Sequence, residues 1–177
     1  MIDFCVLGSG VAGSTIANIL SKKYSVHVFD KARGSGGRSS NKKFKRNLSF
    51  DHGVQYISPK SKKFIKFTQK LLKKKIFKTW DGNHLDFTFK KKINNIKYIG
   101  TKGNNALIKY QLKGIKQFFT SQIIKIEYKK NFWKITLNDN SSHQFKALIL
   151  TCPFPQLKKL AKKYLDKKIS NLKVQMQ

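Results

Sequence analysis

The sequence predicts an α/β protein with a Rossmann-like dinucleotide-binding domain of βαβ form, joined by a partial second layer of mixed α+β structure. Three observations near the N-terminus predict it. Ile2 to Leu7 is a short apolar run that ends on Gly8-Ser9-Gly10-Val11-Ala12-Gly13. A second apolar run, Ser25 to Phe29, ends on Asp30, and Gly36-Gly37-Arg38 follows shortly after it.

Each piece has a physical reason. The first run has the length and composition of a buried strand. The glycines of a GxGxxG turn allow a tight bend, close approach of backbone to a pyrophosphate, and close packing of helix on strand. A helix over residues 14–22 then points its N-terminal N–H groups and dipole at the phosphates. Asp30 stands about 20 residues past the glycines, where an acid binds a ribose hydroxyl. Strand, glycine turn, helix, strand and acid in this order are far more specific than a GxGxxG string alone.

Beyond Arg38, Asn41 to Asn47 reads as a basic connecting loop. Ser58 is placed to cap a helix that starts at Pro59 and runs to about Lys75. In this helix Phe64, Phe67, Leu71 and Leu72 share one face, which is expected to pack on the domain. Phe77 to Trp80 and Leu85 to Phe89 flank Asp81-Gly82-Asn83-His84 as a hairpin-like pair. Gly103 to Leu112 reads as a helix. Strands are expected over Ile115 to Phe119, Ile123 to Tyr128, Phe132 to Leu137 and Phe145 to Thr151. A last amphipathic helix is expected to begin at Pro155. The expected division is a discontinuous dinucleotide-binding domain, residues 1–58 and 99–177, with residues 59–98 as an excursion toward a substrate or cap region.

Several motifs carry a family resemblance. Val28-Phe29-Asp30-Lys31-Ala32-Arg33-Gly34-Ser35-Gly36-Gly37-Arg38 is similar to the ribose acid and GGR turn of the flavin-containing amine oxidase superfamily. Phe50-Asp51-His52-Gly53-Val54-Gln55-Tyr56 resembles the DHGAQYF signature of renalase-like FAD-dependent oxidoreductases. Tyr98 to Leu107 resembles that family's VGxPGMxAL stretch, with Lys102 and Asn104 in place of its Pro and Met, and Leu148 to Gln156 resembles its strand ending in PxPQ.

The resemblance implies FAD as cofactor, held by Gly8, Gly10, Gly13, Asp30, Arg33, Gly36, Gly37 and Arg38, with Ile123 against the adenine. It implies that Gly53 lets backbone pass close to the flavin ring, and that His52, Gln55 and Tyr56 are the catalytic candidates. The reaction implied is hydride transfer from a small-molecule substrate, a reduced nicotinamide-like compound (reduced NAD(P) isomers) or an amine, to flavin, followed by reoxidation by oxygen. The matching relatives are nearly twice as long, so the chain is expected to be C-terminally incomplete, with a partner chain as one way to complete its site. A dinucleotide-binding remnant without turnover is the alternative, and a basic module for acidic polymers is a third reading.

Composition narrows the classes. With 40% hydrophobic residues in 177, the chain can build a core. No run has the length of a membrane span, and Met1 to Leu20 does not read as a signal peptide. Cys5 and Cys152 form no CxxC pair and are expected as buried thiols in a reducing cytoplasm. His27, His52, His84 and His143 lack metal-ligand spacing, so no metal is expected. The net charge of +30 raises nucleic acid as a partner, but only three of 38 basic residues are arginine. The expectation is therefore a solvated lysine surface with no sequence-specific nucleic-acid binding. Trp80 and Trp133 are expected in the core.

Overall fold

The structure, a computed structural model, describes residues 1–45, 48–81 and 96–172. In chain order the elements are β1 (Ile2–Leu7), α1 (Val11–Leu20), β2 (Val26–Phe29), β3 (Asn41–Lys45), β4 (Leu48–Asp51), α2 (Lys62–Lys73), β5 (Phe77–Thr79), β6 (Tyr98–Gly100), α3 (Ala106–Gln111), β7 (Lys116–Phe118), β8 (Ile123–Lys129), β9 (Phe132–Leu137), β10 (Ser142–Leu150), α4 (Phe154–Ala161) and α5 (Lys167–Ser170). They fall into two compact units. The first comprises residues 1–35 and 111–177, the second residues 36–110.

The first unit is built on a six-stranded sheet of order β7-β2-β1-β10-β9-β8. β7, β2, β1 and β10 run parallel, while β9 pairs antiparallel with β10 and β8 antiparallel with β9. The chain leaves β1 through α1 to reach β2 on one side, and β10 lies on the other. The carboxyl end of β1 is therefore a topological switch point, the place where open α/β sheets bind ligands.

The sequence accounts for this sheet. β1 buries Cys5 and Val6, and β2 alternates Val26 and Val28 with His27 and Phe29. Phe29 and Phe145 are fully enclosed in a core with Cys5, Ile123, Ile126, Ile135, Leu137 and Ala161. Enclosing one such phenylalanine is worth about 2–3 kcal/mol. Phe29 stacks on Phe118 with centroids 4.5 Å apart, and His27 and His143 tilt against the same ring, at 5.4 and 5.7 Å. Trp133 packs against Tyr128 and Tyr164. At the amino end of β1, Asp3 pairs with Lys146 at 2.7 Å, and that ammonium together with Ser25 holds its carboxyl well below the usual range.

The second unit carries two small antiparallel sheets, β3 with β4 and β5 with β6. Leu71 of α2 packs with Phe77 of β5 and Leu107 of α3 in a core of its own. The boundary of this unit is wider than the 59–98 excursion, because β3 and β4 pair with each other and belong to it.

Several local expectations are corrected. α1 starts at Val11 rather than residue 14, because Gly10 already takes the N-cap position. The basic loop expected over Asn41 to Asn47 is a strand as far as Lys45. α2 is capped by Ser61, whose hydroxyl accepts the Phe64 N–H at 3.2 Å, so Ser58 and Pro59 lie ahead of the helix. Only Thr68 and Leu71 of α2 are buried, while Phe64 and Phe67 remain exposed. Trp80 is also exposed, and Pro155 occupies the second rather than the first helical position of α4. The strand expected over Leu85 to Phe89 and most of the turn before it lie outside the described residues. Among the described residues no helix is long and apolar enough to cross a membrane.

Candidate functional site

In the first unit the glycine turn sits at the carboxyl end of β1. Gly8 has φ +104°, and an added Cβ there would lie 2.7 Å from the Thr151 hydroxyl oxygen. Gly13 faces back across the turn, and a Cβ on it would collide with the Gly8 carbonyl oxygen. Thr151 follows β10 and donates its hydroxyl to the Leu7 carbonyl at 2.8 Å. The turn is thus clamped between α1 and the end of β10. Thr151 carried no sequence signal of this role beyond closing an apolar run.

The N-terminus of α1 is open to an anion. Gly10 caps it without a side-chain hydrogen bond, and its first turn has no acidic residue. The first N–H groups of a helix lack intrahelical partners, so they are available to phosphate oxygens. Gln111 fixes the helix from outside, accepting from the Ser14 hydroxyl at 2.7 Å through its side chain and from Asn18 at 2.9 Å through its carbonyl.

Asp30 follows β2 directly, beside this turn. Its Oδ2 accepts from the Ser9 N–H at 2.7 Å and the Ser9 hydroxyl at 2.6 Å, and its Oδ1 accepts from the Ala32 N–H at 2.9 Å. Ser9 is fully buried, so it acts as a fixed support for the carboxylate. A carboxylate oxygen carries two lone pairs, and Oδ1 retains one for a ribose hydroxyl. The residues present therefore fit a dinucleotide: a ribose acceptor held in place and an uncapped helix end for phosphate. Ser9 stands at a variable position of the motif, where sequence reasoning assigned nothing.

Elsewhere in the first unit, Ile123 lies at the start of β8 with its side chain in the core. Arg33 is exposed. Burial raises the thiol of Cys5, and raises that of Cys152, half-buried after Thr151, despite nearby Lys31.

The second unit begins with Gly36, at φ +153°, and Gly37, which opens a single 3-10 turn through Ser39. The Arg38 side chain is exposed and has no carboxylate partner among the described residues, while its carbonyl accepts the Val54 N–H at 2.9 Å. A Cβ on Gly53 would collide with that same carbonyl. Within this unit the glycine is required by close passage against Arg38. His52 and Gln55 are exposed, and Tyr56 stands 5.6 Å from Trp80, with the Lys97 ammonium 4.3 Å from the Tyr56 ring.

Asn104 holds this segment, although it appeared in the sequence only as a departure from the family pattern. It is buried, donates to the Val54 and Gln55 carbonyls at 2.7 and 3.0 Å, and accepts the Gly100 N–H at 2.9 Å. Its own N–H donates to Asp51 at 2.9 Å. A methionine side chain could make none of the three side-chain bonds and would keep only the backbone N–H to Asp51.

The fold and the glycine turn define a Rossmann-type nucleotide-binding protein. Residues 6–71 match the family of NAD(P)-binding Rossmann-like domains. More particularly, the chain is similar to renalase from Mus musculus, with 30% identity over 167 residues. That match covers 88% of this chain and 48% of the mouse protein, so the chain spans about half the length of the curated relative. Among solved structures, tetracycline destructase Tet(51) superposes with a TM-score of 0.62 at 13% identity, over 95% of this chain and 42% of that one, which is a likeness of fold.

Proposed function

We propose that this chain binds FAD and belongs to an oxidoreductase of renalase type. The observation that supports this reading most directly is the turn at the end of β1, where Ser9 holds Asp30 beside the uncapped end of α1. The similarity to renalase adds the cofactor class. Bound flavin supplies the hydride-accepting chemistry; the protein contributes position, polarity and access. The α1 N–H groups take phosphate oxygens, Asp30 accepts from the adenosine ribose, and Gly8 and Gly13 keep the turn tight enough for both. Arg38 is proposed as a further phosphate ligand, since its guanidinium offers two parallel donors and has no competing carboxylate among the described residues. His52, Gln55 and Tyr56 are proposed to meet substrate, a reduced nicotinamide-like compound being the favoured class.

The test is reconstitution of purified chain with FAD and, separately, with NAD. FAD is expected to bind with quenched fluorescence, and Arg38→Ala is expected to weaken it by about 1.5–3 kcal/mol, the worth of a charged hydrogen bond. Tight NAD binding without flavin affinity overturns the reading. Aerobic oxidation of reduced nicotinamide isomers by the loaded chain tests the reaction separately from the cofactor.

A further inference from the structure

Residues 36–110, the second unit, contain 20 lysines and arginines against three acids. Two groups of large apolar side chains stand exposed within this charge. On the β3–β4 hairpin these are Phe44, Leu48 and Phe50, at 66%, 52% and 59% exposure. Phe44 and Phe50 pair edge to face at 6.2 Å, among the exposed Lys42, Lys43 and Lys45, and the Lys45 ammonium sits 5.8 Å from the Phe44 ring. On α2, residues 62–67 are all exposed. There Phe64 and Phe67 stack at 6.3 Å, with Ile65 beside them and Lys62, Lys63 and Lys66 interspersed. A two-stranded hairpin with apolar groups in water gains little stability from them.

We propose that the paired strands β3 and β4 and the N-terminal half of α2 each dock an anionic lipid bilayer, which the chain meets peripherally. Charge complementarity selects this occupant. A protein partner covering Phe44, Leu48 and Phe50 would also have to desolvate Lys42, Lys43 and Lys45, and charged groups are depleted from the centres of such interfaces. A lipid surface lets the rings enter the headgroup region while the lysines stay hydrated beside phosphates. Single-stranded nucleic acid also matches the charge, but Leu48 and Ile65 offer no flat face to a base and both phenylalanine pairs are engaged with each other. Insertion at the boundary of headgroups and acyl chains uses the aliphatic and aromatic side chains alike. The proposal does not depend on the cofactor reading.

The experiment is sedimentation of the full chain with vesicles of phosphatidylcholine containing phosphatidylglycerol, and with vesicles of phosphatidylcholine alone. Binding is expected only to the first. The variants F44S/F50S and F64S/F67S, with folding checked by circular dichroism, are each expected to lower that affinity about tenfold or more, while surface charge is unchanged. Absence of binding to the anionic vesicles overturns the proposal. So does binding that both variants retain in full, which would mean attraction by lysine charge alone. Self-association abolished by the same variants, without vesicle binding, would assign the surface to a second copy. Tighter binding of a single-stranded RNA oligonucleotide, lost in the same variants, would assign it to nucleic acid; either result overturns the lipid assignment.

Discussion

Gly13 has no room for a methyl group, because an added Cβ meets the Gly8 carbonyl and lies 2.9 Å from the Thr151 hydroxyl oxygen. Gly13→Ala must therefore push α1 away from the end of β1. The expected loss is about 1–3 kcal/mol of stability together with most dinucleotide affinity, measured by urea unfolding and by ligand titration. Retained affinity would show that the turn tolerates a wider spacing. His27 gives a second expectation. Its Nδ1 is buried with no hydrogen-bond partner among the described residues, and burial, then Lys116 and His143, hold its pKa below the ordinary histidine value. The unfolded chain then binds the proton more readily than the folded one. Stability contributed by neutral His27 is complete above about pH 6.5 and is lost as pH falls from there through the lower folded-state value. Chemical unfolding from about pH 7.5 to about pH 5, across the usual histidine range, is expected to show a slope that His27→Phe reduces. An unchanged slope in that variant would place the titration elsewhere.

At the scale of elements, the strand–turn–helix–strand of residues 2–29 was legible because its signals are local. Apolar runs set β1 and β2, and the glycines between them are a chemical requirement of the turn. The second unit was less legible. Whether Phe64 and Phe67 are covered depends on what packs against α2, and the helical period is the same in either case. Asn104 shows the same limit: its partners Val54 and Gln55 are 50 and 49 residues away. It joins the segment after β4 to the turn after β6, so Asn104→Leu is expected to cost on the order of 3 kcal/mol, since it strands buried backbone groups. The checks are thermal unfolding and amide exchange at Val54 to Ile57 and at Gly100. Exchange unchanged at those amides would show that the network does not hold the segment.

For the whole molecule, charge is the dominant feature. A net charge of +30 on 177 residues repels itself in the compact state, and surface ion pairs such as Lys146–Asp3, Lys125–Glu127 and Lys129–Glu127 offset little of it. The melting temperature is therefore expected to rise from low ionic strength to about 0.3 M salt, where the Debye length falls well below the molecular diameter. A melting temperature that is flat or falls with simple salt would mean that the attractive pairs outweigh the excess lysines. The same field favours anionic ligands, among them a phosphate-bearing dinucleotide.

The sequence by itself determined the α/β class, the order of strand, glycine turn, helix and acid, and the placement of Gly8, Gly13 and Asp30 at its turn. These follow from periodicity, backbone sterics and the short reach of neighbouring residues. Only the tertiary structure decided that Ser9 orients Asp30, that Thr151 closes the glycine turn, that Asn104 ties down the segment beside Gly53, and that Phe44, Phe50, Phe64 and Phe67 face solvent. The reason is that a hydrogen bond or a packed ring is a property of two sites brought together by the fold. Their separation in the chain, 21 residues for Ser9 and Asp30 and 144 for Thr151 and Leu7, leaves no periodic trace in the sequence.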